Sequence, residues 1–316
     1  MNKVTGGISM RTKQFQILSD AGMSWDLMTD VFSPDAKNGP FAPFFEYALN
    51  SSWLNKDYLH LNRFWLDGDR PVAFVFYENP ASQLHFALRP GYEALADDMI
   101  AYAETAFPDG SEPKELELYA GQSALIRAAE KRGWRAAREE PWRIFDFRTG
   151  RLDYPLPEGY RFIDVRQADP LKTARCLWEG FNSEELGPFQ GWDVPTHNGG
   201  RSPYELYRDV LKSTVSPPPH ATYEDEVIIA DEKGRYVCFS GMWWVEKNRL
   251  AYMEPLCTVP DCRGIGLAAA ALSQHDRRLR PRGAVMMTGG GNPFYKKIGF
   301  QREIRSLYYR KPIIEL

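Results

Sequence analysis

The run Glu254-Pro255-Leu256-Cys257-Thr258-Val259-Pro260-Asp261-Cys262-Arg263-Gly264-Ile265-Gly266-Leu267-Ala268 is where the residue types and spacing of this chain bear most directly on chemistry. An apolar strand breaks at Pro260-Asp261, passes through a glycine-rich turn and enters a helix of small residues, Ala268 to Leu272. A helix begun in this way leaves backbone N–H groups unpaired at the positive end of its dipole. Gly264 and Gly266 also lack the Cβ atoms that would hold an anion away, so the pattern predicts a pyrophosphate site. It is not a P-loop, which needs Gly-Lys-Ser/Thr after its last glycine. Nor is it the dinucleotide fingerprint, which needs a third glycine and a ribose-binding acid about 20 residues on.

Two motifs carry a resemblance. Arg263-Gly264-Ile265-Gly266-Leu267-Ala268 matches Arg/Gln-x-x-Gly-x-Gly/Ala, and Asn292-Pro293-Phe294-Tyr295-Lys296-Lys297-Ile298-Gly299-Phe300 matches an Asn followed by Tyr-x-x-x-Gly-Phe. In that order, one helix and one strand apart, they resemble the signature of the GNAT superfamily of acyl-CoA N-acyltransferases. The resemblance implies acetyl-CoA as the acyl donor, its pyrophosphate held by Arg263, Gly264, Ile265, Gly266, Leu267 and Ala268. It implies a carbonyl polarised by backbone N–H groups of the strand at Leu256, Cys257 and Thr258, and a cofactor-positioning role for Asn292. Asn292 stands closer to the tyrosine than in most of that family, which puts that role in question.

Acyl transfer from a thioester to an amine needs a neutral amine, a polarised carbonyl and a proton for the departing thiolate. An alkyl ammonium has a pKa near ~10, so a base or a water chain must first take its proton. Glu254 lies in the strand before the turn, where the resembling family places a carboxylate; the other reading is a structural residue turned to the wrong face by strand alternation. Tyr295 is the acid the resemblance implies, the other reading being an aromatic that packs on Phe300. Glu184, Glu185, Phe189, Trp192 and Asp193, in the long irregular stretch 182–226 that lies over the acceptor site in GNAT proteins, are candidates to hold an organic cation.

Positioning these residues calls for a strand, a helix and a closing strand, and the chain supplies that order twice. In the second half, strands are expected at 160–165, 227–231, 236–244, 249–258, 284–287 and 300–311, with helices at 170–181 and 204–211 and from Gly266 to about Leu279. In the first half, strands are expected at 15–18, 58–66, 72–77, 84–88, 116–119 and 142–147, and helices at 25–32, 41–49, 93–107 and 122–132. The linker-like stretch 148–159, with Gly150, Pro155 and Pro157, suggests a degenerate GNAT-like domain over 1–150 and a catalytic one over 151–316. The expected class is α/β (α+β): two tandem GNAT acyl-CoA N-acyltransferase folds, each a mixed, mostly antiparallel sheet flanked by helices. Laying the halves together puts Glu93 where Arg263 stands and Asp97 and Asp98 inside a first helical turn, where carboxylates would replace a phosphate. It also puts Ala129 where Tyr295 stands.

Length and charge bound the rest. The 316 residues fit two domains, and a net charge of -3 with 26% charged residues gives no nucleic-acid footprint. Residues 1–14 lack an apolar leader core, and no run is long enough to span a bilayer, so a cytoplasmic protein without a membrane partner, monomer or homodimer, is expected. Cys176, Cys238, Cys257 and Cys262 lack metal spacing and read as small apolar fillers in a reducing compartment; the five histidines show no metal spacing either, so no metal is expected. The functional expectation is an N-acetyltransferase moving an acetyl group to a primary amine of a small molecule by direct attack in a ternary complex. The alternative is a catalytically silent acyl-CoA-binding sensor or scaffold. An aminoacyl-tRNA-dependent transferase would want a basic groove, against which the near-neutral charge argues.

Overall fold

The computed structural model describes residues 10–108, 113–190, 202–215 and 217–312. Its contacts divide the chain into two units: one of residues 1–49, 54–141 and 304–316, the other of 50–53 and 142–303. The division is not a single cut, because the end of the chain belongs to the first unit and the segment 142–150 to the second.

In the first unit the strands are β1 (Met10–Gln14), β2 (Arg63–Asp67), β3 (Arg70–Tyr77), β4 (Gln83–Leu88), β5 (Glu115–Tyr119) and the greater part of β12 (Arg302–Arg310), in that spatial order. The helices are α1 (Ile17–Asp30), α2 (Ala42–Asn50), α3 (Ala96–Ala106) and α4 (Ser123–Lys131). All neighbours are antiparallel except β4 and β5, which run parallel. The core is aromatic: Phe64 stacks on Phe74 at 4.1 Å between centroids and Phe74 on Phe76 at 4.9 Å, with Phe15 and Phe45 packed edge-on or tilted against them.

The second unit repeats this plan. Its sheet runs from the end of β6 (Arg135–Asp146) through β11 (Met286–Thr288), β10 (Leu250–Thr258), β9 (Tyr236–Val245) and β8 (Val227–Asp231) to β7 (Tyr160–Ile163). Its helices are α5 (Pro170–Gly180), α6 (Pro203–Val215), α7 (Leu267–Leu279) and α8 (Pro293–Ile298). Again one pair, β10 with β11, is parallel and the rest are antiparallel. Helix α5 starts where Asp169 accepts from the N–H groups of Leu171 and Lys172 and Pro170 fills the first position, both ordinary start signals. The four cysteines are free and buried in this unit's core, as apolar fillers.

Segment 147–154 lies along α7. Asp276 accepts from the Leu152 N–H at 2.7 Å, Ser273 Oγ from the Tyr154 N–H at 2.9 Å, and Arg280 donates to the carbonyls of Phe147 and Gly150. A stretch with linker composition is thus fastened to the helix that carries the glycine turn.

Three expectations need correcting. Residues 15–18 do not form a strand; the strand is the polar Met10–Gln14, and α1 already begins at Ile17, eight residues before the expected helix start. Strand β6 begins at Arg135 rather than near Trp142, its first six residues being exposed. Asp97 and Asp98 do stand at the start of α3, but they do not cap it. Arg132 holds Asp97 through Nη2 at 2.9 Å, and Asp98 accepts from the Trp65 indole at 2.6 Å, because both partners lie within side-chain reach of the helix flank.

Candidate active site

The glycine turn is built to stay open. After Cys262 the backbone extends at Arg263, takes positive φ at Gly264 (80°) and Gly266 (99°), and enters α7 with no side chain among the described residues capping it. A Cβ at either glycine would meet nothing within 4 Å, and both glycines are exposed. The first N–H groups of α7 therefore face open space, the arrangement in which a helix start holds a diphosphate. Arg263 serves the turn itself: its Nε donates to Thr258 O at 2.9 Å, and its Nη2 to Gly180 O at 2.9 Å and Asn182 Oδ1 at 2.8 Å. Ile265 is largely exposed at the tip, Ala268 is half-buried and Leu267 faces the core.

Strand β10 pairs with β11 only at Leu250 and Ala251. Beyond the Met253 N–H, which Thr288 Oγ1 accepts at 2.7 Å, the rest of β10 has a strand only on its β9 side. Val259 donates its N–H to Val237 of β9 at 3.0 Å, so alternation turns Cys257 the same way and leaves the Leu256 and Thr258 N–H groups on the open edge. Cys257 also buries its thiol against Cys176 O at 3.7 Å, so of the three expected carbonyl-polarising positions it is the one turned inward.

Glu254 and Pro255, joined by a cis peptide, form a bulge opposite Gly241, where the β9 register slips by one between Met253↔Met242 and Leu256↔Ser240. Any Cβ at position 241 would run into the Glu254 carbonyl. Glycine is required there. The carboxyl is half-buried, and burial pushes its pKa up to about 7.

Tyr295 is buried, its ring against Phe294 and Phe300 at 5.3 Å each. Burial raises the phenol well above its ordinary pKa, and the Glu254 carboxylate adds to the rise. The ring is seated by glycines: a Cβ at Gly289 would meet it at 2.8 Å and one at Gly290 at 3.2 Å. The signal for this seat in the sequence is the run Gly289-Gly290-Gly291 shortly before the expected acid.

Asn292 caps α8, its Oδ1 accepting from the Phe294 N–H at 2.9 Å, so its side chain orients the helix that carries Tyr295. Phe189 packs in the hydrophobic core with Trp178, Leu206 and Val210. Trp192 and Asp193 lie outside the described residues. Among the described residues no group of three His, Cys, Asp or Glu side chains is arranged to hold a metal. No helix among them is long and apolar enough to cross a membrane.

The first unit shows the same frame with the site filled. Trp134 donates to Ala129 O at 3.1 Å and Gly133 to Glu130 O at 3.0 Å, the turn that Phe300 and Gly299 make with Tyr295 O and Lys296 O at 3.0 and 3.4 Å; alanine thus stands at the tyrosine position. Strands β4 and β5 also pair at only two positions. Here the gap is bridged: Gln122 donates to Phe86 O and accepts from the Tyr119 N–H, each at 2.9 Å, and the Leu88 N–H donates to Asn38 O at 2.8 Å. Gly39 lies so close above β4 that a Cβ would stand 2.8 Å from the Ala87 Cα.

No family model and no curated protein matches the sequence. Solved structures do match the fold. A GCN5-related N-acetyltransferase from Sphaerobacter thermophilus superposes with a TM-score of 0.56 at 18% identity, over 97% of this chain and 98% of that one. A GNAT acetyltransferase from Colwellia psychrerythraea gives 0.58 at 10% identity, over 95% and 100%. The architecture is therefore the GNAT fold. A tandem GNAT protein from the clavulanic acid biosynthesis pathway gives 0.57 at 13% identity over 95% of this chain and 98% of that one, and the arrangement here is likewise tandem.

Proposed function

We propose that the second unit is an acyl-CoA-dependent N-acetyltransferase that acetylates a primary amine of a small molecule by direct attack. The observation that supports it best is the parting of β10 from β11, which gathers an open strand edge, an uncapped helix start, a carboxyl near neutral pKa and a buried phenol. In this reading the diphosphate of acetyl-CoA docks on the N–H groups of Leu267 and Ala268, and the pantetheine follows the open edge of β10. Glu254 takes a proton from the ammonium, and the neutral nitrogen attacks the thioester carbon. The oxyanion is held by a backbone N–H of that edge, Leu256 or Thr258. As the C–S bond breaks, Tyr295 gives its proton to the thiolate and regains one from the nitrogen of the collapsing intermediate, so that amide, thiol and one proton leave. The filled gap of the first unit supports one cofactor site per chain.

The second reading, a silent acyl-CoA sensor, shares the docking site but not the chemistry. A panel of amines incubated with acetyl-CoA and followed by thiol release separates the two. Turnover is expected with at least one amine, and Tyr295→Phe, which keeps the ring, is expected to lower kcat about 10²-fold while acetyl-CoA still binds. Binding without turnover across the panel would favour the sensor.

A further inference from the structure

We infer that Arg235, on the β8–β9 hairpin, is a positioning residue for the diphosphate cradle: it locks the turn to α5 and neutralises a carboxylate that would otherwise face the incoming phosphates. The inference rests on the reading of the 263–268 turn as that cradle.

Asp261 lies two residues before Arg263 and is largely exposed. A carboxylate at this place is unfavourable for an anion-binding turn unless it is paired. Arg235 grips it with both terminal nitrogens, Nη1 to Oδ2 at 2.7 Å and Nη2 to Oδ1 at 3.1 Å, a planar fork-to-fork pair. The same Nη2 reaches Glu179 Oε2 of α5 at 2.7 Å, and Glu179 Oε1 accepts from Arg175 Nε at 2.7 Å. Charges thus alternate along Arg175, Glu179, Arg235 and Asp261. The Arg235 guanidinium holds the Asp261 carboxyl below its ordinary pKa range, so the aspartate stays anionic and in place.

Arg263 makes a second tie between the same partners, from the turn to the Gly180 carbonyl and the Asn182 side chain at the end of α5. The last turn of α5 is therefore bound to the cradle by Arg235 and by Arg263. Arg263 makes its contacts to neutral acceptors, whereas Arg235 meets two carboxylates. The two arginines consequently differ in what their loss leaves behind: loss of Arg235 leaves an unopposed negative charge beside the phosphate position.

That difference gives the test, with coenzyme A titrated calorimetrically and acetyl-CoA compared with S-acetyl-pantetheine, which lacks the diphosphate, as donor. Arg235→Met is expected to weaken coenzyme A about 10-fold and to leave turnover of the pantetheine thioester within about twofold. Arg235→Lys, which keeps the charge, should lose much less. Adding Asp261→Asn to Arg235→Met should restore coenzyme A affinity to within about threefold of the wild-type chain, because the repelling charge is gone. Unchanged affinity in Arg235→Met would overturn the inference. So would a loss that Asp261→Asn does not relieve, or one equal for both donors, since that is the signature of packing alone. A wild-type chain that binds no coenzyme A would instead remove the reading of the turn as a cradle, and the inference with it.

Discussion

In the proposed reaction Glu254 is the base for the ammonium: burial moves its carboxyl to about 7, and it stands in the strand bulge opposite Gly241. It must be ionised to act, so with saturating acceptor kcat is expected to rise with pH along a limb centred near 7 and to level off above it. Glu254→Gln should abolish the limb and lower kcat by about 10²-fold or more; a variant that keeps the limb would assign it elsewhere. The sign for stability is the opposite. The folded pKa is raised above the unfolded value near ~4.3, so the contribution of this group is fully present below that value and is lost as pH rises through about 7. The site thus costs stability in the range where it works. At this scale the turn 263–268 was legible because its chemistry is local in sequence. The glycine seat of the Tyr295 ring and the bulge at Glu254 were not, since each is made by a residue from another stretch of the chain. The burial of Phe189 was not legible for a related reason: an aromatic in a long loop reads as a ligand contact until the core that covers it is known.

The proposed site depends on the parting of β10 from β11, and on the β9 side of the same strand Gly241 makes room for the Glu254 bulge. Gly241→Ala forces a methyl into the Glu254 carbonyl, so the bulge must shift. The expected result is a stability loss of about 1–3 kcal/mol in denaturant unfolding, together with a fall in kcat at least as large as that of Glu254→Gln. A variant destabilised but fully active would show that the bulge does not aim the base. Elements with apolar periodicity were readable from the residues alone, among them α5, α7, β3, β9 and β10. Those without it were not. Met10–Gln14 and Arg135–Pro141 are polar and exposed, and their strand character comes from pairing with a neighbour rather than from their own pattern. The Asn292 cap shows the same limit, for a residue read as a cofactor contact also has the chemistry of a helix start.

Across the chain as a whole, the first unit completes its sheet with a strand from the far end of the sequence, and the second with the residues at its own start. Strand β5 pairs antiparallel with β12, and β11 pairs with the end of β6. The repeat of strands and helices was legible as two halves; that β12 closes the first unit's sheet was not, because nothing local to that strand marks the sheet it joins. A chain begun at residue 151 would lack the β6 segment that borders β11. The two units also differ in the feature that matters for function. In the first, Gln122, Asn38 and Gly39 occupy the gap between parallel strands, while in the second Thr288 Oγ1 meets the β10 edge at Met253 and, among the described residues, no side chain caps the start of α7. The proposed function requires one acyl-CoA site per chain, at the start of α7. Ala268→Asp tests it without endangering the fold, because a carboxylate in a first helical turn favours the helix while opposing a diphosphate. Calorimetric titration with acetyl-CoA should give one site per wild-type chain and an affinity at least about 30-fold weaker, ~2 kcal/mol, in Ala268→Asp. Two equivalent sites, no binding, or undiminished affinity in the variant would contradict it.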